Sequence, residues 1–187
     1  LVTEKAVLII DFKNFGGKIT LPKNAKSEFD FGKWTNESGE QSGTIRVKYA
    51  PLRAIELTEE DVPSIIDELP LVAMLAASAD GTSKITGAAE LRVKETDRIA
   101  VTAQELRKFG VEIEELEDGM IIKGRENWNV QTQKLDSHGD HRIGMMDAIA
   151  ALKADCEMEL ENEAAIDISY PTFFSDLAKI TGGVKND

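Results

Sequence analysis

The apolar positions between residues 99 and 109 fall at Ile99, Ala103, Leu106 and Phe109, one face of a helix whose first turn holds Asp97 and Arg98. Lys94 and Glu95 stand just outside that turn. A second amphipathic run, "GDHRIGMMDAIAAL", predicts a helix opening at Asp140 with His141 and Arg142 in its first turn. One plan, an apolar helix closed by Gly, is repeated in "TEKAVLIIDFKNFGGKI" (3–19), "AVTAQELRKFGVEI" (100–113) and "FFSDLAKITGGV" (173–184). Between such helices, "VEIEELEDGMIIKG" (111–124) reads as a hairpin with Asp118 and Gly119 as its two-residue turn. The polar, glycine-containing stretch "FGKWTNESGEQSG", Phe31 to Gly43, reads as an exposed loop.

A longer echo organises these pieces. "DELPLVAMLAASADGTSKITGAAELRVKETDRI" (67–99) and "DHRIGMMDAIAALKADCEMELENEAAIDISYPTFF" (140–174) lie about 75 residues apart, and each offers a helix opening at an Asp, a short strand, a connector and a second helix. The fold class expected is therefore mixed α/β, with about two whole strand-and-helix units and the end of a third in a single domain over 1–187. The chain is expected to open inside a helix, as part of something longer.

Composition narrows the function. With 34 acidic against 22 basic residues the formal charge is −12, and no basic cluster runs longer than a pair, which argues against nucleic acid as a partner. The single Cys156 excludes an internal disulfide framework, and two histidines three residues apart are too few for a zinc site. The default setting is reducing and cytoplasmic. The longest apolar stretch, "LPLVAMLAA", is half the length of a membrane span.

The helix starts carry the candidate chemistry. A helix N-terminus presents unpaired N–H groups and about half a positive charge, so Arg98 and Arg142 at two such ends add cation to an already positive place. If the repeats pack symmetrically, two guanidiniums could clamp one small anion bearing phosphate and carboxylate. A plainer reading stays open beside this one. Asp67, Asp97 and Asp140 each suit a helix N-cap, while Lys94 and Arg98 suit surface ion pairs with Glu95 or Asp97.

Four segments in order, "IIDELP", "AELRVKETDRI", "SHGDHRIGMM" and "ISYPTFFSDL", resemble the carboxy-terminal half of the 5-enolpyruvylshikimate-3-phosphate synthase family, the shikimate-pathway enzymes targeted by glyphosate. The resemblance runs from about Thr44 to Leu177. It implies one lobe of a two-lobed fold, each lobe made of three βαβαββ units, and transfer of the enolpyruvyl group of phosphoenolpyruvate to shikimate 3-phosphate without a cofactor. By motif, Asp67 is implied as general base and shikimate contact. Lys94 is implied as a contact and proton donor, with Glu95 as a second acid/base. Arg98 and Arg142 are implied as the phosphoenolpyruvate clamp, with His141 against the same site. A lysine among arginines is expected to have a lowered pKa.

Two positions depart from the family pattern. Ile168 stands where some members carry Lys, so no anion contact is assigned there, and Glu90 stands where one branch has Asn, in a substrate-binding position. The family is more than twice this length, so the amino-terminal lobe is taken as absent and the chain as a monomer inactive alone. Two alternatives remain: a lobe of the related transferase acting on UDP-N-acetylglucosamine, and a non-catalytic interaction domain.

Overall fold

The computed structural model describes residues 2–3, 6–7, 28–31, 45–48 and 51–181. Strands β1 (Val2–Thr3) and β2 (Ala6–Val7) pair antiparallel, as do β3 (Glu28–Phe31) and β4 (Ile45–Lys48). The helix expected from Thr3 is thus replaced at its start by a strand pair, and the rest of that segment lies outside the described residues. So do residues 32–44 of the expected loop, whose first residue, Phe31, ends β3.

From residue 51 one complete repeat unit follows. Strand β5 (Glu56–Leu57) leads through α1 (Val62–Ile65), a 3₁₀ turn (Ile66–Glu68) and α2 (Leu69–Ala76) to β6 (Gly81–Ile85), which lies parallel to β5. A second 3₁₀ turn (Ala89–Val93) then enters α3 (Arg98–Lys108), and the hairpin β7 (Glu112–Leu116) and β8 (Gly119–Gly124) completes a four-stranded sheet in the order β5-β6-β8-β7. The next unit repeats the opening of this plan. It has β9 (Lys134–Asp136), α4 (His141–Ala151), β10 (Glu159–Glu161) parallel to β9, a 3₁₀ turn (Glu163–Ile168) and α5 (Phe173–Thr181). One βαβαββ unit and the βαβα part of another are present among the described residues, so the expected count of two whole units is not met there.

The local reasons are legible in the residues. Helix α2, "LPLVAMLA", is apolar all round and is accordingly wedged between the sheet, α3 and α4, with Leu69, Ala73 and Met74 fully buried. Helix α3 buries Ile99, Ala103, Leu106 and the following Phe109, the face its spacing predicted. It stops at Gly110, whose φ of +79° is left-handed, where the Val111 N–H returns to the Leu106 carbonyl. The two units bury the same turn position, Leu91 in one and Ile166 in the other.

The hairpin differs from expectation by one residue. Leu116 pairs with Gly119, so the two-residue turn is Glu117-Asp118 and Gly119 belongs to the strand. There it is needed for space, because a Cβ would run into the Ile85 carbonyl of the neighbouring β6. Gly119→Ala is therefore expected to part β8 from β6 and cost about 2–3 kcal/mol, the scale of overpacking against an unyielding neighbour. Urea unfolding of the variant checks this, and an unchanged midpoint would show that the strands can shift freely.

Candidate active site

Helices α3 and α4 start side by side because their first residues are tied together. Arg98, the first residue of α3, is 1% exposed and sends Nε to Asp140 Oδ2 at 2.8 Å and Nη2 to Asp140 Oδ1 at 3.2 Å. Its remaining donors are also committed, Nη2 to Glu95 Oε2 at 2.6 Å and Nη1 to Asp67 Oδ1 at 3.3 Å. Asp140 is wholly buried, caps α4 by accepting from the Arg142 N–H at 2.9 Å, and takes the Thr96 hydroxyl at 3.1 Å. Burial works to lower the Arg98 pKa and to raise that of Asp140. The hydrogen bonds of the pair overcome it, holding the guanidinium above its usual value and the carboxyl below its own.

Around this pair the other cations gather on Asp67. Arg142 is buried beside it, with Nη1 on Glu68 Oε1 at 3.1 Å and Nη2 3.6 Å from Asp67 Oδ2. Lys94 Nζ lies 3.9 Å from Asp67 Oδ1 and 2.6 Å from Glu90 Oε1. One carboxylate thus has Lys94, Arg98 and Arg142 within salt-bridge distance, and the acids Glu90 and Glu95 sit at the exposed rim, 66% and 51% accessible. His141 opens α4 half-buried beside them. Burial lowers its pKa, Arg142 and Arg98 lower it further, and Asp140 and Glu95 oppose, so the ring is neutral at pH 7.

Asp67, Glu90, Lys94, Glu95, Arg98 and Arg142 accordingly form one connected network, with His141 electrostatically against it. Two expectations are corrected. Asp67 is no helix cap. It lies in the Ile66–Glu68 turn, and α2 begins without a side-chain cap, which frees the Asp67 carboxylate to meet cations. The pKa of Lys94 is raised rather than lowered, first through its hydrogen bond with Glu90, because the lysine has acids nearer than arginines. The capping readings of Asp97 and Asp140 hold, Asp97 accepting from the Ala100 N–H at 3.1 Å. Ile168 lies 75% exposed at the end of its turn, offering no polar atom from its side chain.

Three participants escaped sequence reading. Glu68 and Thr96 are ordinary residues beside noticed ones, with no spacing to mark them. Arg92 braces the approach to α3 against the hairpin, through Asp97 at 2.7 Å, Glu115 at 3.1 Å and the Glu117 carbonyl at 2.6 Å. Its only signal was a cation inside an otherwise assigned motif. Among the described residues no group of three His, Cys, Asp or Glu could hold a metal ion, and no helix is long and apolar enough to cross a membrane.

A folded unit of this plan, with cations gathered at adjacent helix starts, is similar to solved enolpyruvyl transferases. EPSP synthase from Acinetobacter baumannii superposes with a TM-score of 0.69 at 34% identity, covering 82% of this chain and 35% of that one. The enolpyruvyl transferase NikO from Streptomyces tendae, at 24% identity and TM-score 0.60, shares the fold over 74% of this chain and 31% of its own. The family model for EPSP synthase (3-phosphoshikimate 1-carboxyvinyltransferase) matches residues 16–177, and the chain belongs to that family. The 3-phosphoshikimate 1-carboxyvinyltransferase of Lactiplantibacillus plantarum is 57% identical over 146 residues, 78% of this chain and 34% of the relative. That of Carboxydothermus hydrogenoformans is 42% identical over 98% of this chain and 43% of its own length. The chain spans about a third of the curated relatives it matches best by identity.

Asp140→Asn tests the central pair. It keeps a capping oxygen but leaves Arg98 short of a countercharge, at the lower end of about 3–5 kcal/mol because Glu95 and Asp67 still face the guanidinium. The native Asp140 has a depressed pKa, so its contribution is present above the unfolded carboxyl value of about 3.9 and is lost as pH falls through the folded value. Thermal unfolding should therefore show a stability deficit for the variant at pH 7 that shrinks below about pH 4. A deficit that persists undiminished in acid would assign the loss to capping geometry rather than charge.

Proposed function

We propose that this chain supplies the carboxy-terminal half of an interlobe active site that transfers the enolpyruvyl group from phosphoenolpyruvate to shikimate 3-phosphate. The observation that carries the reading is the convergence of Lys94, Arg98 and Arg142 on Asp67. Cations gathered at this point suit a phosphate and a carboxylate, and the acid among them suits a proton acceptor. In the proposed sequence Asp67 accepts the proton of the shikimate 5-hydroxyl as that oxygen bonds to C2 of phosphoenolpyruvate. Glu95 or Lys94 gives a proton to C3, forming a tetrahedral intermediate. Loss of a proton from the new methyl group together with inorganic phosphate restores the double bond in the product.

Arg142 and Lys94 are the cations proposed to contact the anions, and Arg98, with every prong engaged, holds the frame and lends its charge. The rim acid Glu90 turns aside when substrate enters, while Glu95 stays beside Arg98. Neutral His141 donates or accepts one hydrogen bond without adding charge. The setting proposed is cytoplasmic and the chain monomeric, with glyphosate acting at the same cations and no cofactor taking part.

The test is made in two steps. The isolated chain is expected to give no enolpyruvyl product, and addition of the amino-terminal lobe in trans to restore some turnover, because two anions must be positioned from both sides. Robust turnover by the chain alone would overturn the half-site reading. In the two-lobed protein Arg142→Lys should lose about 2–5 kcal/mol of transition-state stabilisation, since a point charge replaces a planar fork. Asp67→Asn should lower turnover at least about a hundredfold and also lower the melting temperature, because Lys94, Arg98 and Arg142 lose a shared countercharge. Near-normal turnover in both would leave only a structural role. Arg98→Lys is the less informative change, because a lysine cannot serve Asp140, Glu95 and Asp67 together and folding suffers with it.

A further inference from the structure

Asp147 lies on α4 two turns beyond its Asp140 cap. It has no exposed surface, and neither of its carboxyl oxygens has a hydrogen-bond partner among the described residues. On the neighbouring helix α3, Thr102 is as deeply buried with its hydroxyl unpartnered among the described residues, and Glu105 is wholly buried one turn on. The nearby cation Lys108 is already spent on Glu105, with Nζ at 2.7 Å, and the same carboxylate bonds His138 Nε2 at 2.8 Å and accepts from the Asp136 N–H at 3.2 Å. Asp147 therefore faces Glu105 and Asp136, offset by Lys108, which is engaged with Glu105. Among the described residues nothing else packed on α4 supplies a countercharge. Helix α2 carries no titratable residue, while Glu159 and Glu161 of β10, Lys134 of β9, and Glu163 and Asp167 of the last 3₁₀ turn are exposed.

A buried carboxylate without a partner is far too costly to persist, and such a group neutralises by keeping its proton. We propose that Asp147 makes the α3–α4 junction a pH-sensitive element: the folded chain carries it as the uncharged acid, and loss of that proton in alkaline solution loosens the seam on which Arg98 and Arg142 are seated. The direction agrees with the physical environment, since burial first and Glu105 next push this carboxyl well above the usual range. Asp147 is a positioning residue in this account and touches no substrate. The inference goes beyond the transferase reading and does not depend on it.

The sign of the effect is fixed by linkage. The unfolded chain ionises Asp147 near pH 4 while the folded chain does not, so above that pH the unfolded state binds fewer protons. The folding equilibrium then weakens by about tenfold per pH unit until the folded group also ionises, after which it is flat. The carboxyls whose values are depressed, Asp136, Asp140 and Asp176, have finished titrating by then and contribute no slope.

The experiment compares this chain with Asp147→Asn and Asp147→Leu by thermal and urea unfolding from pH 5 to 9. Both variants should be more stable than the parent, with a gap that widens by up to about tenfold in the folding constant per pH unit. Hydrogen-exchange protection of α3 and α4 amides should fall with pH in the parent and hold in both variants, a readout that simple packing loss would not give. A gap independent of pH, or variants less stable throughout, overturns the proposal. So does failure of both variants to fold, because an unpartnered uncharged acid offers nothing that Asn and Leu both lack.

Discussion

Arg98 and Asp140 set the geometry on which the rest of the site depends. A guanidinium 1% exposed to water has no tolerable state except one with its charge matched and its donors satisfied, and the matching acid is 42 residues away in sequence. Meeting that demand forces the first turns of α3 and α4 into register. Because Asp140 also caps α4, one side chain fixes both the position of that helix and the direction in which Arg142, two residues on, leaves the backbone. The Ile66–Glu68 turn is then held from two sides, by Arg98 on Asp67 and Arg142 on Glu68. The placing of Arg142 and of the Ile66–Glu68 turn thus follows from one buried contact.

This explains what the chain made legible before its structure was seen and what it did not. Periodicity is local, so α3 and α4, the caps at Asp97 and Asp140, the Gly110 stop and the presence of the hairpin could be read directly. The resemblance of four motifs singled out residues that the fold brings into one connected network of charges. Asp67 was misjudged as a cap because an Asp before an apolar helix satisfies the local rule. Only the tertiary fold shows that α2 starts after Glu68 without it. Lys94 was assigned a lowered pKa by counting arginines, while the nearest charge is the acid four residues back, Glu90. The hairpin turn moved by one residue because Asp-Gly is a strong local signal, and the close approach of the β6 backbone claimed the glycine for the strand. Thr3 to Val7 misled in another way, since its apolar spacing fits helix and strand alike over so short a run.

The repeat shows how one architecture is kept while its chemistry is divided. Leu91 and Ile166 are both fully buried at equivalent turn positions, and Val93 and Ile168 are both exposed two residues on. The backbone plan and the packing it requires are therefore common to both units. The following positions diverge: Lys94 against Ser169, and Arg98 at the start of α3 against Phe173 at the start of α5. Arg98 is buried by ion pairing and Phe173 by apolar contact with Tyr170 and Phe174, so the same geometric slot accepts two unrelated solutions to desolvation. Polar chemistry is concentrated along α3 and the face of α4 it touches, where Arg98, Thr102 and Glu105 are all buried on a helix whose remaining inner positions are apolar.

Charge balance at the site gives the arrangement its asymmetry. Lys94, Arg98 and Arg142 face Asp67, Glu68, Glu90, Glu95 and Asp140, so the described residues present more acid than cation. With a formal charge of −12 on the whole chain, this surface repels a multiply charged anion at a distance and accepts one only if rim acids swing away or further cations approach. Glu90 and Glu95 are exposed enough to move, whereas Asp140 is not. The acids thus divide by burial into two kinds. One fixed member, Asp140, builds the scaffold from inside, and the exposed ones balance the same cations from the rim, where water screens them and their side chains are free of packing.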